Sequence, residues 1–253
     1  MQLSIIVPAH NEEKRLAQML DAYLPFFTAA YGNDFEMLIV INGSTDGTEN
    51  LVNQYLPKFP QLKSIIEPRP IGKGGAIMLG FSRARGSLIG FVDADGSTPP
   101  ASFQDLASHM GKADAVIASR WLKGATLDPP QPLSRRVASR LFNTMGRLLF
   151  GLRFSDTQCG AKLIKREAAL KVLPTLGITR WAFDVDLLFQ LRHAGYKIME
   201  IPTVWRDVSG SRVQIVRVSL EMSAALARLR LLYSPFKGIV SFYDRHLARY
   251  FNV

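Results

Sequence analysis

The first 120 residues alternate short apolar runs with longer amphipathic stretches, and this rhythm constrains the fold more than any other feature. Such alternation predicts strands joined by helices that cover both faces of a parallel sheet. The expected strands begin at Leu3 and span 35–41, 62–67, 87–93 and 114–119; the expected helices lie near 12–29, 47–57, 74–85 and 101–110. The sequence therefore predicts an α/β fold with a mostly parallel, twisted sheet and helices on both faces.

Polar or glycine-rich segments follow four of these strands. They are PAHNE, NGSTDGT, RPIGKGGA and DADGST. In open sheets of this kind, ligands bind beyond the carboxyl ends of the strands. The four segments therefore predict one binding site along a single rim of the sheet.

Asp93 and Asp95 lie two residues apart at the end of an apolar run, in the stretch FVDADGSTPP. In an extended chain, residues at this spacing point to the same side. Paired carboxylates suit a hard divalent cation, whose remaining ligands are usually water and substrate phosphates. The alternative is that Asp93 caps the strand and DGSTPP is an ordinary turn. This stretch alone leaves both interpretations open.

Composition and charge limit the function classes. The 253 residues are 47% hydrophobic, enough for one large domain, and the net charge of +10 predicts an anionic partner. Nucleic acid is disfavoured because the basic residues are dispersed and carry no recognised motif. The spacing GxxxxGK[ST] of a phosphate loop fails at IGKGGA, and GxGxxG does not follow the first strand. A phosphate-rich substrate or an anionic membrane surface remains.

The sequence offers little sign of secretion or of a membrane span. The N-terminal stretch MQLSIIVPAHNEE has no basic leader, and no run of about 18 apolar residues occurs. The single cysteine, Cys159, fits a reducing compartment. We therefore expect a cytoplasmic location.

The second half begins with a predicted basic helix, RRVASRLFNTMGRLLFG, and ends in a tail of mixed apolar and basic residues. We expect one domain over 1–213 and an amphipathic basic tail over 214–253. Such a tail is typical of a segment that lies in a membrane interface. The alternative is a helix that packs on the sheet or forms a dimer contact.

Seven motifs stand in the order found in family 2 glycosyltransferases. They are SIIVPAHNEEKRL, INGSTDGT, GKGGAI, DADGST, ASRW, DTQCGAKLIKREAA and RWAFDVDLLFQLRHAGYKIMEIPTVW. Together they cover roughly residues 3–212 and resemble most the branch of dolichyl-phosphate β-glucosyltransferases and dolichol-phosphate mannosyltransferases. Within that branch, DADGST, DTQCG and RWAFDV followed by VSGSRV are more similar to the glucosyltransferases.

This resemblance implies a GT-A fold that binds a sugar nucleotide, with Mg²⁺ or Mn²⁺ against the diphosphate. The nucleotide would contact Pro8, Ala9, Asn11, Glu12, Asn42, Lys73 and Asp93. The metal would be held by Asp95 and Asp93, with Ser97 acting through water. The chain departs from the family at Asn42, where a carboxylate is common, and at Ser97, where the mannosyltransferases have Gln.

The second half of the chain is expected to bind the acceptor. The resemblance implies that the lipid phosphate would be gripped by Arg120, Arg135, Arg136 and Arg140. The acids expected in catalysis are Asp95, Asp156, Asp184 and Asp186; the alternative for the last three is capping, or pairing with Arg180 and Lys162. No histidine base is needed, because a phosphate monoester is largely ionised at neutral pH.

The resemblance therefore predicts an inverting glycosyltransferase at the cytoplasmic face of a membrane. It would move a hexose, glucose from UDP-glucose, to a polyprenyl or dolichyl phosphate. The alternatives are mannose transfer from GDP-mannose and a catalytically idle partner subunit. A membrane-anchored partner or a second copy of the chain is also compatible with this prediction.

Overall fold

The computed structural model of the chain describes residues 1–130, 132–177, 182–206, 215–235 and 238. The strands are β1 (Leu3–Ala9), β2 (Phe35–Asn42), β3 (Leu62–Glu67), β4 (Leu88–Phe91), β5 (Ala115–Ser119), β6 (Thr126–Asp128), β7 (Lys162–Lys165), β8 (Ile198–Pro202) and β9 (Val204–Arg206). The helices are α1 (Leu16–Tyr31), α2 (Thr48–Tyr55), α3 (Gly72–Arg83), α4 (Pro100–His109), α5 (Leu133–Phe150), α6 (Arg166–Val172), α7 (Phe183–His193) and α8 (Ile215–Leu232). Two short 3₁₀ turns span Met110–Lys112 and Leu173–Thr175.

Seven strands form the central sheet in the order β3-β2-β1-β4-β7-β5-β8. All neighbouring pairs are parallel except those made by β7, which runs antiparallel to both β4 and β5. β6 and β9 form a separate parallel pair. The predicted mostly parallel sheet is confirmed, whereas the strands β6, β7, β8 and β9 were not predicted from the sequence.

Helices cover the sheet on both faces because its central strands are apolar on both sides. Along β1, Ile5 and Val7 pack with helices α1, α2 and α4, whereas Ile6 faces α3, α6 and α7 on the other side. A third apolar cluster joins α5, α7 and α8. The site must therefore lie at an edge of the sheet, where the strands end.

The predicted basic helix is present as α5, and α8 packs on it. Leu226 and Leu229 of α8 are buried in one cluster with Phe142 of α5 and Val185 of α7. The first part of the expected tail thus contributes to the packed structure, while the boundary at residue 213 stays a prediction. Residues 214, 236, 237 and 239–253 of that tail lie outside the described residues. In the described part of the chain, no helix is both long and apolar enough to cross a membrane.

Candidate active site

A cleft of about 640 Å³ opens at the carboxyl ends of β1, β2, β3 and β4. It is lined by Pro8, His10, Glu12, Asn42, Pro70, Gly72, Lys73, Asp93, Ala94, Asp95, Gln158 and Asp184. Seven of these residues were predicted from the sequence: Pro8, Glu12, Asn42, Lys73, Asp93, Asp95 and Asp184. The structure thus brings segments from four strand ends and from the second half of the chain into one cavity.

The acidic turn does not have the extended geometry that the sequence pattern suggested. β4 ends at Phe91 rather than at Asp93, and Ala94 and Asp95 lie in a turn. The last hydrogen bond between this chain segment and β1 runs from the Val92 N–H to the Ile6 carbonyl at 3.0 Å. The prediction of a strand through residue 93 was therefore wrong, and the two carboxylates face different partners.

Asp93 lies against Lys73 at the N-terminus of α3. The Lys73 Nζ atom is 2.6 Å from Asp93 Oδ1. Burial acts to raise the pKa of Asp93, but the charge of Lys73, with those of Lys162 and Arg120, lowers it below the usual value. Gly160 leaves room for this carboxylate, because a Cβ there would come within 1.9 Å of Asp93 Oδ2.

Asp95 is held by the turn that follows it. Its Oδ1 accepts the Ser97 N–H at 2.9 Å, and the buried Ser97 carbonyl accepts the Arg206 N–H at 2.7 Å. Burial and the charge of Asp93 raise the pKa of Asp95 above its usual value. Burial likewise raises the pKa of Glu12 despite its ion pair with Arg15 at 2.6 Å. Negative charge is therefore concentrated in the cleft at some energetic cost.

The ends of β1 and β2 are tied together at the other side of the cleft. Asn42 is buried, and its Nδ2 donates to the Ala9 carbonyl at 3.3 Å. His10 Nδ1 lies 2.8 Å from the Asn42 carbonyl, so this nitrogen carries the proton. Asn11 has a positive φ of 55°, and its Oδ1 accepts the Thr45 N–H at 2.8 Å. Ala9 and Asn11 thus shape the cleft, while Asn42 and His10 line it.

A loop at 155–160, here called the junction loop, connects the cleft to α5 and β8. Glu200 of β8 accepts the N–H groups of Ser155 and Asp156 at 2.9 and 2.7 Å. Asn143 of α5 accepts the Thr157 N–H at 3.0 Å. Three consecutive backbone donors are therefore satisfied by two different elements, which fixes the conformation of the loop.

Asp156 and Arg120, predicted for different roles, form one ion pair. Arg120 Nε and Nη2 donate to the two Asp156 oxygens at 2.7 and 3.0 Å, and Asp156 is fully buried. Burial acts to raise the pKa of Asp156, but the Arg120 charge and hydrogen bonds lower it. The Arg120 guanidinium also lies 5.6 Å from the ring centre of Trp205. These contacts favour a role for Asp156 in orienting Arg120 over a direct role in bond breaking.

The two predicted acids of α7 have different surroundings. Asp184 lines the cleft and pairs through Oδ1 with the buried Lys162 Nζ at 2.5 Å. Asp186 does not line the cleft: it is fully buried, and its oxygens accept from Tyr233 Oη at 2.6 Å and the Gly177 N–H at 2.9 Å. Pairing with Lys162, the alternative predicted from sequence, is therefore observed for Asp184, which also lies beside the cavity. Asp186 is held instead by Tyr233 and the Gly177 N–H, two partners that the sequence analysis did not predict.

Two of the predicted arginines of α5, Arg136 and Arg140, are not among the residues that line the cleft. Arg136 and Arg140 are exposed, and the Arg140 guanidinium lies 5.6 Å from the ring centre of Trp121. Arg135 belongs to α5, but its side chain lies outside the described residues. Arg120 is also absent from the residues that line the cleft, but its charge contributes to the lowered pKa of Asp93.

The acidic turn has the donor chemistry of a site for a divalent cation. The like-charge cost that raises the pKa of Asp95 is one that a bound cation would relieve. Within the described residues, no three His, Cys, Asp or Glu side chains converge on one point. Mg²⁺ commonly uses one or two carboxylates and completes its shell with water and substrate phosphates. Asp93 and Asp95 therefore fit a cation that a phosphate-containing substrate helps to hold.

The mostly parallel sheet, flanked by helices, gives this protein a fold of the GT-A class, which solved structures share. The family model described as Glycosyl transferase family 2 matches residues 4–173, and the chain belongs to that family.

Curated relatives match almost the whole chain. The dolichyl-phosphate beta-glucosyltransferase of Dictyostelium discoideum is 34% identical over 243 residues, which covers 91% of this chain and 74% of the relative. The human protein of the same name is 33% identical over 249 residues, with 92% and 76% covered.

Solved structures share the fold at low identity. Glucosyl-3-phosphoglycerate synthase from Mycobacterium tuberculosis, in complex with Mn²⁺, UDP and glucosyl-3-phosphoglycerate, aligns with a TM-score of 0.67 at 17% identity and covers 90% of this chain and 79% of its own. A mannosyltransferase from Pyrobaculum calidifontis, in complex with GDP-Man and Mn²⁺, aligns at 0.64 with 19% identity, covering 95% and 68%.

Three residues at or near the cleft were missed in the sequence. His10 was assigned no role, although it lies in the PAHNE segment that was expected at the rim. Gln158 lines the cleft and lies in DTQCG between Asp156 and Cys159, the two residues of that motif that the sequence analysis named. Glu200 gave no local signal, because its role depends on backbone groups more than 40 residues away.

Proposed function

We propose that this protein is an inverting glycosyltransferase that moves glucose from UDP-glucose to a polyprenyl or dolichyl phosphate. The observation that carries the proposal is the contact of Lys73 with the acidic turn in one cleft, with Arg120 near enough for its charge to lower the pKa of Asp93. Such a cleft has groups for two phosphate-bearing substrates. The dolichyl-phosphate beta-glucosyltransferases that match over 91–92% of the chain support the choice of sugar and acceptor.

The donor would lie with its nucleoside beside Asn42 and its diphosphate beside the acidic turn. A cation, Mg²⁺ or Mn²⁺, held by Asp93 and Asp95 would neutralise charge on the departing diphosphate. Lys73 would donate to the same diphosphate, because its ammonium already lies at the cleft wall. Ser97 would act by holding Asp95 in place through its N–H.

The acceptor phosphate would approach beside Arg120, whose orientation is set by Asp156. One phosphate oxygen would attack the anomeric carbon from the side opposite the diphosphate. The new carbon–oxygen bond forms as the bond to the diphosphate breaks, so the configuration inverts. The phosphate monoester is already ionised, so the reaction requires no protein base.

One assay tests this function. Purified protein is offered UDP-glucose, UDP-galactose and GDP-mannose in turn, each with a polyprenyl phosphate and Mg²⁺ or Mn²⁺, and the glycolipid is identified by mass spectrometry. We expect a glucosylated lipid from UDP-glucose, and none from the Asp95→Asn variant. A mannosylated lipid would overturn the sugar assignment, and no product from any donor would favour an idle subunit.

We also propose that the protein contacts a membrane through the outer face of α5. The α5 outer face is an apolar row beside a basic row: Leu133, Val137, Leu141 and Leu148, then Arg136, Arg140 and Arg147. The rows follow helical spacing, and the opposite side of α5 buries Phe142 and Phe150. An apolar row flanked by cations suits an anionic lipid surface.

This face supports a membrane contact better than α8 does, since α8 uses Leu226 and Leu229 for internal packing. We place the contact at the cytoplasmic side of the membrane, where the free thiol of Cys159 fits the reducing conditions. A second copy of the chain and a membrane-anchored partner are the competing occupants of the face.

Liposome co-sedimentation distinguishes these occupants. Val137→Gln combined with Leu141→Gln should reduce binding to anionic liposomes while sparing UDP-glucose binding. Ile66→Gln, which changes an exposed residue of β3, is the matched control. Unchanged liposome binding in the double variant, or loss of a dimer in sedimentation velocity, would assign the face to another occupant.

A further inference from the structure

Gln158 lies at the centre of the junction loop, and nothing so far gives it a function. It is half-buried and lines the cleft. Its N–H donates to Asp156 Oδ1 at 3.1 Å, which fixes its backbone. Its side-chain amide makes no hydrogen bond within the described part of the chain. An anchored residue with an unused amide at a cavity wall is poised to bind a ligand.

The neighbours of Gln158 along the loop locate it between the two substrates. Two residues before it, Asp156 holds Arg120, the cation assigned to the acceptor phosphate. Two residues after it, Gly160 packs against the carboxylate of Asp93, assigned to the donor diphosphate. Two residues of chain span at most about 7 Å, so Gln158 is close to both arms.

An in-line displacement places the transferred sugar between these arms. The anomeric carbon must lie between the departing diphosphate and the arriving phosphate, so the hexose ring fills the space beside Gln158. Two other polar side chains of the cleft already have partners: Asp184 pairs with Lys162, and Asn42 Nδ2 donates to the Ala9 carbonyl. The Gln158 amide has two donor hydrogens and an acceptor oxygen available, a set that matches sugar hydroxyls.

We propose that Gln158 binds the hydroxyl groups of the transferred hexose and thereby selects the sugar. The inference rests on the proposed function, because that function assigns the acceptor phosphate to the Arg120 side of the loop and the donor diphosphate to the Asp93 side. A neutral amide suits the position because a cation there would also bind phosphate, and a carboxylate would repel both substrates. A site that binds a hydroxyl through hydrogen bonds discriminates against the epimer that leaves its groups unpaired.

Calorimetry on the purified 253-residue protein tests the proposal. Gln158→Met keeps the length of the side chain but removes the amide, and Gln158→Ala serves if the first variant is unstable. We expect UDP affinity within about two-fold of the wild type and an affinity for UDP-glucose lower by about ten-fold. The preference for UDP-glucose over UDP-galactose in kcat/KM should fall by a similar factor. Gln54→Met, at an exposed position of α2, is the matched control.

The outcomes separate this proposal from the function on which it rests. Equal losses for UDP and UDP-glucose would overturn it, because Gln158 would then support the nucleotide rather than the sugar. An unchanged preference between the two sugars would also overturn it. Failure of the wild-type protein to glycosylate a lipid, with the Gln158 effect on UDP-glucose binding retained, would instead overturn the proposed reaction.

Discussion

Replacing Gly160 with Ala should displace Asp93 without removing any polar group. The added Cβ would come within 1.9 Å of Asp93 Oδ2 and 2.3 Å of its Cγ. Ordinary van der Waals contact begins at 3.4 Å, so the carboxylate or the loop must move by about 1.5 Å. Such a move breaks the 2.6 Å contact between Asp93 and Lys73. Misplacement of about 1 Å at a reacting centre can cost about 100-fold in rate.

We therefore expect Gly160→Ala to lower kcat/KM for UDP-glucose by about 100-fold. Overpacking of this kind destabilises a protein by about 1–3 kcal/mol, so the unfolding transition should stay cooperative with Tm lower by a few degrees. Gly111→Ala is the control, since a Cβ at Gly111 meets nothing within 4 Å. Activity within two-fold of wild type for Gly160→Ala would refute the view that Asp93 must occupy its present position.

Three further predictions concern charge in the site. Lys162→Met should lower the free energy of unfolding, measured in urea, by about 3–5 kcal/mol, because it leaves the buried Asp184 carboxylate without its partner. A change below about 1 kcal/mol would contradict this expectation. Asp156→Asn should lower the free energy of unfolding by a similar amount at pH 7, because it leaves the Arg120 guanidinium without its carboxylate partner. The pKa of Asp156 is lower in the folded protein than in the unfolded chain, so the stability that its ionised carboxylate contributes is complete above about pH 4 and is lost as the pH falls through the folded-state pKa. A difference in unfolding free energy between wild type and Asp156→Asn that does not change with pH would contradict this expectation. Mn²⁺ with UDP should raise the Tm of the wild type, and Asp95→Asn should abolish that rise; an equal rise in the variant would place the cation elsewhere.

The sequence predicted the first half of the fold because that half obeys local rules. Its parallel strands are apolar on both faces, so the runs around Leu3 and 35–41 are recognisable without any tertiary information. The start of α1 was less well predicted: it begins at Leu16, not near residue 12. The N–H groups of Glu12 and Glu13 bind Thr48 Oγ1 and Asp46 Oδ2 instead of continuing a helix.

The parts that were missed depend on partners far away in the chain. β7 contains only KLIK, and Lys162 is a poor candidate for a buried strand unless Asp184, 22 residues later, is known to neutralise it. Arg120 and Asp156 were both selected, yet their pairing across 36 residues has no local signature. Residue types at the site were therefore predictable from the motifs, whereas their partners required the folded arrangement.

The antiparallel direction of β7 also decides where this protein can be labelled. The segment that follows a parallel strand of this sheet lies on the side of the cleft. β7 runs in the opposite direction and begins at the cleft rim, so the segment that precedes β7 lies at the site. The turn at Gly111 precedes β5 and therefore lies at the opposite edge of the sheet, where Asp114 pairs with Lys165 at the end of β7. A fluorophore or affinity tag inserted at Gly111 would leave substrate entry open, whereas the same insertion beside Gly160 would close it.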